Sequence, residues 1–436
     1  MSVTSDETVR HFEDQLARAV QAHRTRNPRS EAALQSLAQW LPGGDTRGTT
    51  WFEPFPLVIE RALGAGMVDL DGHELVDFLG NYTSLVHGHR PAAVTAAIQE
   101  ALERGTVFAA PLLEQGELAS RLVERVASVD LVRFTNSGTE ANLLAANIAR
   151  ALTGRQRVAV AAFSYHGGYE GLDWHNAANA NGPVVFPAND VEGTVEALGD
   201  GRDFAAVFVE LVQHAGGVMP TSHEYLTFLR DFTRQSGALL VFDEVVTLRL
   251  AHGGRQEVLG VSPDLTSMGK IIGGGMPIGA VGGGADIMDS TSPQRGALLH
   301  NGTFNGNRLA MVAGAAALDL LDRSAIERIN GLGDRLAEAI RAAATARGLG
   351  VSVTSCGSLL TVHALPDVQS AAQGQTAASQ PLRRLLHLKL LQHGLFIAPR
   401  GEFVISTAMD EHTIDAALTS IEQTFDDVLD LEPTYH

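Results

Sequence analysis

The chain has 436 residues, 45% apolar and 19% charged, with 32 basic residues against 50 acidic ones for a formal net charge of −18. Such a length and balance describe a globular protein of two or three domains, with a surface that repels nucleic acid and anionic membranes, so neither is expected as a partner. Cys356 is the single cysteine, which excludes an internal disulfide and a cysteine-rich metal site and fits a cytoplasmic location.

The first residues, "MSVTSDETVRHFEDQLARAVQAHR", mix charges at helical spacing and lack the apolar segment of a secretory signal. Residues 5 to about 40 read as one or two amphipathic helices. The following "LPGGDTRGTTWFEPFPLVIERALGAGMVDLDGHELVDFLG" has short β-branched runs broken by Gly and "DG", which predicts small strands with tight turns. From about residue 90, apolar strands alternate with helical segments: "LVRFTN", "RVAVAAF", "AAVFVE" and "ALLVFDE" mark the strands. That order predicts an α/β fold with a mainly parallel sheet covered on both faces. After about residue 325, further helices and short strands predict a smaller α+β domain, with "DVQSAAQGQTAASQP" as a mobile loop within it and a closing helix over 411–428. The expected division is an N-terminal arm and small-domain segment over 1–85, a large domain over 86–325 and a C-terminal small domain over 326–436.

In a sheet of this kind ligands sit at the carboxyl ends of the strands, and four such ends carry suggestive residues. After "RFTN", Ser137-Gly138-Thr139 opens a helix whose positive end and free N–H groups suit a phosphate, although a plain N-cap serine accounts for the same letters. Tyr165 and His166 follow a second strand, where an aromatic stacks on a planar ring or simply fills a surface turn. Asp243 ends the apolar strand "ALLVFD", where a carboxylate requires a partner: a protonated ring nitrogen, a helix end or a salt bridge with Arg249. Lys270 lies in the uncharged "DLTSMGKIIGGGMPIGAVGGG". It is one of only two lysines, with Lys389, in a chain that otherwise uses arginine for its positive charge. Arginine stays protonated, whereas a buried lysine becomes a neutral amine able to attack a carbonyl. A phosphate cradle, a ring surface, an acid for a ring nitrogen and a lysine for an aldehyde are together what pyridoxal 5′-phosphate needs.

The stretches "RFTNSGTEAN", "SYHGGY", "LLVFDEVVT", "DLTSMGKIIGGGMPIGAVGG" and "HNGTFNGNRLAMVAG" resemble, in order, the class III aminotransferases of the fold type I pyridoxal-phosphate enzymes. Within them the chain looks most like the glutamate-1-semialdehyde aminomutase and β-phenylalanine (β-amino-acid) aminotransferase branch. The resemblance implies Lys270 bonded to the cofactor aldehyde and Asp243 on the ring nitrogen, as the catalytic pair. It implies Tyr165 and Val245 on the two ring faces, and Ser137, Gly138 and Thr139 on the phosphate. It also places Thr303, lent by a partner subunit, on that phosphate, and so implies a homodimer with shared active sites. No metal is implied. One departure is "VELVQ" where the family has "VEP": Leu211 replaces proline, so Glu210 and Gln213 are not assigned as ligands.

For the substrate, Arg47 in "GGDTRGTT" and Arg400 in "APRGEF" stand at positions where the resemblance implies carboxylate binding, which suits arginine's planar fork. The "PRG" at Arg400 looks like the β-amino-acid aminotransferases rather than the aminomutases. Tyr82, Trp51 and Phe52 are candidate aromatic walls, with core packing as the equal alternative. The expected activity moves an amino group from a β-amino acid to a 2-oxo acid. The alternatives are glutamate-1-semialdehyde 2,1-aminomutase and a catalytically silent binding subunit.

Overall fold

The computed structural model describes residues 6–296, 298–378 and 381–429, and these cluster into two compact units. One unit holds the residues up to Tyr82, His87–Arg90 and the residues from Arg328 on; the other holds Thr83–Val86 and Pro91–Glu327.

The second unit is built on a seven-stranded sheet. In chain order its strands are β1 (Leu131–Thr135), β2 (Arg157–Ala161), β3 (Val184–Phe186), β4 (Phe204–Glu210), β5 (Leu239–Asp243), β6 (Leu265–Gly269) and β7 (Gly279–Gly283). Their spatial order is β1-β7-β6-β5-β4-β2-β3. Only β7 runs against its neighbours, so the carboxyl ends of the other six strands share one edge. Residues of β4 are buried at every position, because helices cover both faces. Phe208 packs with Ala141, Leu144 and Ile148 of the helix Gly138–Thr153 on one face. Val207 and Val209 point the other way, into the cluster with Tyr225, Leu226 and Leu229 of the helix His223–Ser236. This two-residue alternation is the strand period meeting two apolar layers.

In the first unit, the helices Asp6–Arg26 and Pro28–Leu37 precede an antiparallel meander of Ile59–Leu63, Gly66–Asp69 and Glu74–Asp77. The strand Leu395–Phe396 adds to the meander in parallel. A second antiparallel sheet orders Ser352–Cys356, Leu359–His363 and Glu402–Val404. The loop expected over "DVQSAAQGQTAASQP" is instead largely a helix, Ala371–Ala378, with Ser379 and Gln380 outside the described residues. Its alanines and glutamines are good helix formers, and Ser370 starts it by accepting from Gly374 N at 2.9 Å. No described helix is long and apolar enough to cross a membrane.

Candidate active site

The chemistry gathers on the shared strand edge. After β1, Ser137 caps the helix Gly138–Thr153: its hydroxyl accepts from Glu140 N at 3.1 Å, and the Glu140 carboxylate accepts in return from Asn136 N at 2.8 Å. The N-cap reading of Ser137 is therefore what its side chain does. The N–H groups of Gly138 and Thr139 have no acceptor among the described residues, at the positive end of a helix that closes at Gly154 with φ 71°. Three glycines bring the neighbouring segments close. A Cβ on Gly138 would sit 3.0 Å from a Val245 methyl, and one on Gly279 would overlap the Ser137 carbonyl. One on Gly167 would overlap the Thr139 side chain.

Asp243 ends β5 beside Glu210 of β4 and Ser267 of β6, and is 4% exposed. Its Oδ2 accepts from Asn142 Nδ2 at 2.7 Å and from His166 Nδ1 at 2.8 Å, and its Oδ1 accepts from Val245 N at 3.0 Å. Arg249 is absent from that set; it donates to the Thr83 carbonyl at 3.4 Å. Burial pulls the His166 ring toward the neutral form. The bond to the Asp243 carboxylate outweighs burial, so the His166 pKa is raised. Glu210, not assigned from the sequence, is buried here and accepts from Tyr165 N at 3.0 Å. Burial pushes its carboxyl up to about 7, with His166 and Lys270 opposing and Asp243 adding to the rise. Gln213 braces the loop after β2, donating to Ser164 Oγ at 3.1 Å and to the Ala162 carbonyl. Tyr165 is 62% exposed on that loop.

Lys270 follows β6 directly, with a left-handed φ of 51° that a residue with a Cβ rarely adopts. Gly269 pairs with Gly279 and Gly279 with Thr135, so the lysine and the Ser137 turn occupy neighbouring positions on three adjacent strands. Backbone strain of this kind collects at functional sites. Thr303 is exposed in a turn whose Asn305 accepts from Asn136 Nδ2 at 2.7 Å.

The remaining candidates belong to the first unit. Arg47 is exposed and donates to Asn81 Oδ1 at 2.8 Å. Asn81 and Tyr82 are both left-handed, with φ 49° and 55°, in a turn that Asp77 fixes by accepting from Leu79 N and Gly80 N at 2.9 Å. The Tyr82 hydroxyl donates to the Thr49 carbonyl, and the Arg400 guanidinium stands 5.7 Å from the Tyr82 ring centre. Arg47 and Tyr82 share the wall of a cavity of about 260 Å³ otherwise lined largely by apolar side chains, Leu79 and Pro399 among them. Phe52 is buried edge-on against His387, so packing accounts for it, whereas Trp51 is 45% exposed.

Sequence reasoning missed Asn142 and the bonding role of His166. The available signal was a polar side chain inside the otherwise apolar helical face of "ANLLAANIA".

The aminotransferase class-III family matches residues 48–172 and 177–425, and the chain belongs to that family of pyridoxal-phosphate-dependent transaminases. It is 37% identical over 411 residues to a β-phenylalanine transaminase of Variovorax paradoxus, covering 93% of this chain and 94% of that one. The crystal structure of the β-phenylalanine aminotransferase from that organism superposes with a TM-score of 0.90 at 36% identity, over 94% and 97% of the two chains. An ω-transaminase from Sphaerobacter thermophilus gives 0.87, also at 36% identity, over 92% and 98%. A glutamate-1-semialdehyde 2,1-aminomutase of Rhodopirellula baltica is 39% identical over 363 residues, 78% of this chain and 82% of its own.

Proposed function

We propose that this transaminase takes the amino group of a β-amino acid, β-phenylalanine-like in its side chain, and passes it to a 2-oxo acid such as 2-oxoglutarate or pyruvate. The observation that carries the chemistry is Asp243: a buried carboxylate bonded to His166, on the same strand edge as the strained Lys270. When bound, pyridoxal 5′-phosphate supplies an aldehyde carbon to take the amino group and a ring that accepts electrons. Lys270 would hold the aldehyde end of the group, and its amine would move the proton at the reacting carbon. Asp243 would hold a proton on the ring nitrogen, and the His166 bond at 2.8 Å orients that carboxylate. Val245 and Tyr165 flank the ring. Ser137, Gly138 and Thr139 take the phosphate together with Thr303 of the partner subunit, which makes the working enzyme a homodimer, in the cytoplasm.

Arg47 and Arg400 take the substrate carboxylates, with Tyr82 beside them. The β-amino-acid donor and the 2-oxo-acid acceptor hold their carboxylates at different distances from the reacting carbon, so each half-reaction leans on a different arginine. Arg47→Ala and Arg400→Ala, measured in each half-reaction by rapid mixing, should hurt the two unequally. A charge-assisted bidentate contact contributes about 1.5–3 kcal/mol, roughly ten- to a hundred-fold in affinity. Equal, small effects on both halves would sink the two-arginine reading. Conversion of glutamate-1-semialdehyde without an added 2-oxo acid would move the chain to the aminomutases.

A further inference from the structure

Asn142 is the one polar side chain among the buried residues of the helix Gly138–Thr153; the others are alanine, leucine or isoleucine. It is 1% exposed. Its Nδ2 donates to Asp243 Oδ2 at 2.7 Å and to the His166 carbonyl at 3.1 Å. Both atoms facing that nitrogen are acceptors, which fixes the orientation of the amide. Its Oδ1 is buried and has no hydrogen-bond partner among the described residues. An unmet buried acceptor costs free energy that an apolar side chain on this face would not, so stability alone does not account for an amide here. The nitrogen, with its two bonds, is what the position supplies.

We propose that Asn142 is a positioning residue for the cofactor ring, acting through Asp243 to aim its carboxylate at the ring nitrogen. The inference rests on the pyridoxal-phosphate reading with Asp243 at that nitrogen. Of the three donors on the carboxylate, Val245 N lies two residues away in the chain and belongs to the same turn. The two that hold it from other elements are Asn142 Nδ2 and His166 Nδ1, both on Oδ2. His166 in turn is tied down through its own carbonyl by Asn142, so one amide secures both. Without it the carboxylate keeps a single long-range donor, on a loop that has lost a brace. A charge-assisted hydrogen bond weakens steeply once its angle departs from linear, so a carboxylate free to turn loses much of its grip on a ring N–H. Asn142 also stands about one helical turn beyond Gly138 and Thr139, so a single helix sets the spacing between the open N–H groups and the acid.

The test compares two ligands on the full chain freed of cofactor: pyridoxal 5′-phosphate, and its carbocyclic analogue with CH in place of the ring nitrogen. Phosphate and aldehyde are the same in both, so their difference in affinity reads the ring nitrogen alone. The wild type should bind pyridoxal 5′-phosphate more tightly than the analogue. Asn142→Ala should weaken pyridoxal 5′-phosphate by about ten-fold, the size of one charge-assisted contact, and leave the analogue's affinity unchanged. A merely structural role would weaken both alike. Should the alanine variant fail to fold, Asn142→Cys, close to asparagine in volume and a poor donor, should give the same split. Equal losses for the two ligands, or no loss for either, in a folded variant overturn the role of Asn142 alone. A wild type that binds both ligands equally, or neither, overturns the reading of Asp243 beneath it.

Discussion

Replacing Asp243 by Asn keeps the shape of the side chain and removes its charge, and the surrounding bonds set what that costs. Three donors converge on the carboxylate: Asn142 Nδ2 at 2.7 Å and His166 Nδ1 at 2.8 Å on one oxygen, Val245 N at 3.0 Å on the other. An amide has one oxygen, so it can keep either the pair or the single donor. Turned toward Asn142 and His166, it leaves one part-buried N–H, that of Val245, facing an NH₂ group. A fully buried unsatisfied donor costs about 1–3 kcal/mol of stability, and this part-buried one should cost about 1 kcal/mol, the low end of that range. His166 also loses the carboxylate that holds its pKa up, so burial then drives the ring neutral. Turnover should suffer more, because nothing then keeps a proton on the ring nitrogen. A loss of several hundred-fold is expected, on the order of 3–4 kcal/mol or above in the barrier. Urea unfolding and turnover at saturating cofactor measure the two quantities separately. A variant that loses most of its stability yet turns over near the wild-type rate per folded molecule would refute the reasoning and make Asp243 a structural residue.

Lys270→Ala should abolish transamination while leaving far-UV circular dichroism and phosphate binding in place, since alanine inherits the left-handed φ of 51° rather than relieving it; near wild-type turnover would end the proposed mechanism. Lys389→Ala removes only a partly exposed contact to Asp427 at 3.3 Å, so it should cost no more than about 1 kcal/mol and leave turnover unchanged. Glu210, with its carboxyl pushed up to about 7 from 4.5, favours the folded state most when protonated. Its contribution is full below the unfolded pKa near 4.5 and is lost as pH rises through 7. Without added cofactor, Glu210→Gln should therefore flatten the stability-pH curve between about pH 5 and 8, by on the order of 2–3 kcal/mol, and parallel curves would count against the buried-acid account. Gly279→Ala should weaken cofactor retention and cost about 1–3 kcal/mol or more, because the new methyl displaces the Ser137 carbonyl; unchanged affinity would show that the turn gives way freely.

The candidate site was legible where one residue's chemistry conflicts with its local surroundings. Asp243 at the end of an apolar strand and Lys270 in a glycine-rich turn both break the local pattern, and such conflicts cluster at functional sites. The strand order was legible for a similar reason, since runs such as "AAVFVE" carry no polar alternation and so require cover on both faces. What could not be read is whatever depends on the phase of one element against another. Asn142 reaches Asp243 across 101 residues of sequence and His166 across 77, and neither distance nor direction is written in the local letters. The helix at Ala371–Ala378 was hidden by its small polar composition, which serves a loop as well as a helix.

Ser137 shows why the two readings of a single letter need not compete. Its side chain is spent on capping, accepting from Glu140 N, and that bond holds the first helical turn in register. The groups then left open at the turn are the backbone N–H of Gly138 and Thr139, which no substitution removes except proline. An anion bound there would depend on the serine for the shape of the cradle more than for a direct bond. Losing the hydroxyl should therefore loosen the helix end, at about 0.5–2 kcal/mol for a missing N-cap, and weaken cofactor retention through that end. Ser137→Ala and Ser137→Asp separate the two roles. Both a cap and a ligand are lost in alanine, whereas aspartate restores the cap and adds a charge that repels phosphate. Aspartate should recover the stability that alanine loses while binding the cofactor worse than alanine does. If cofactor affinity instead followed stability across both variants, the serine would act on the phosphate only as a cap.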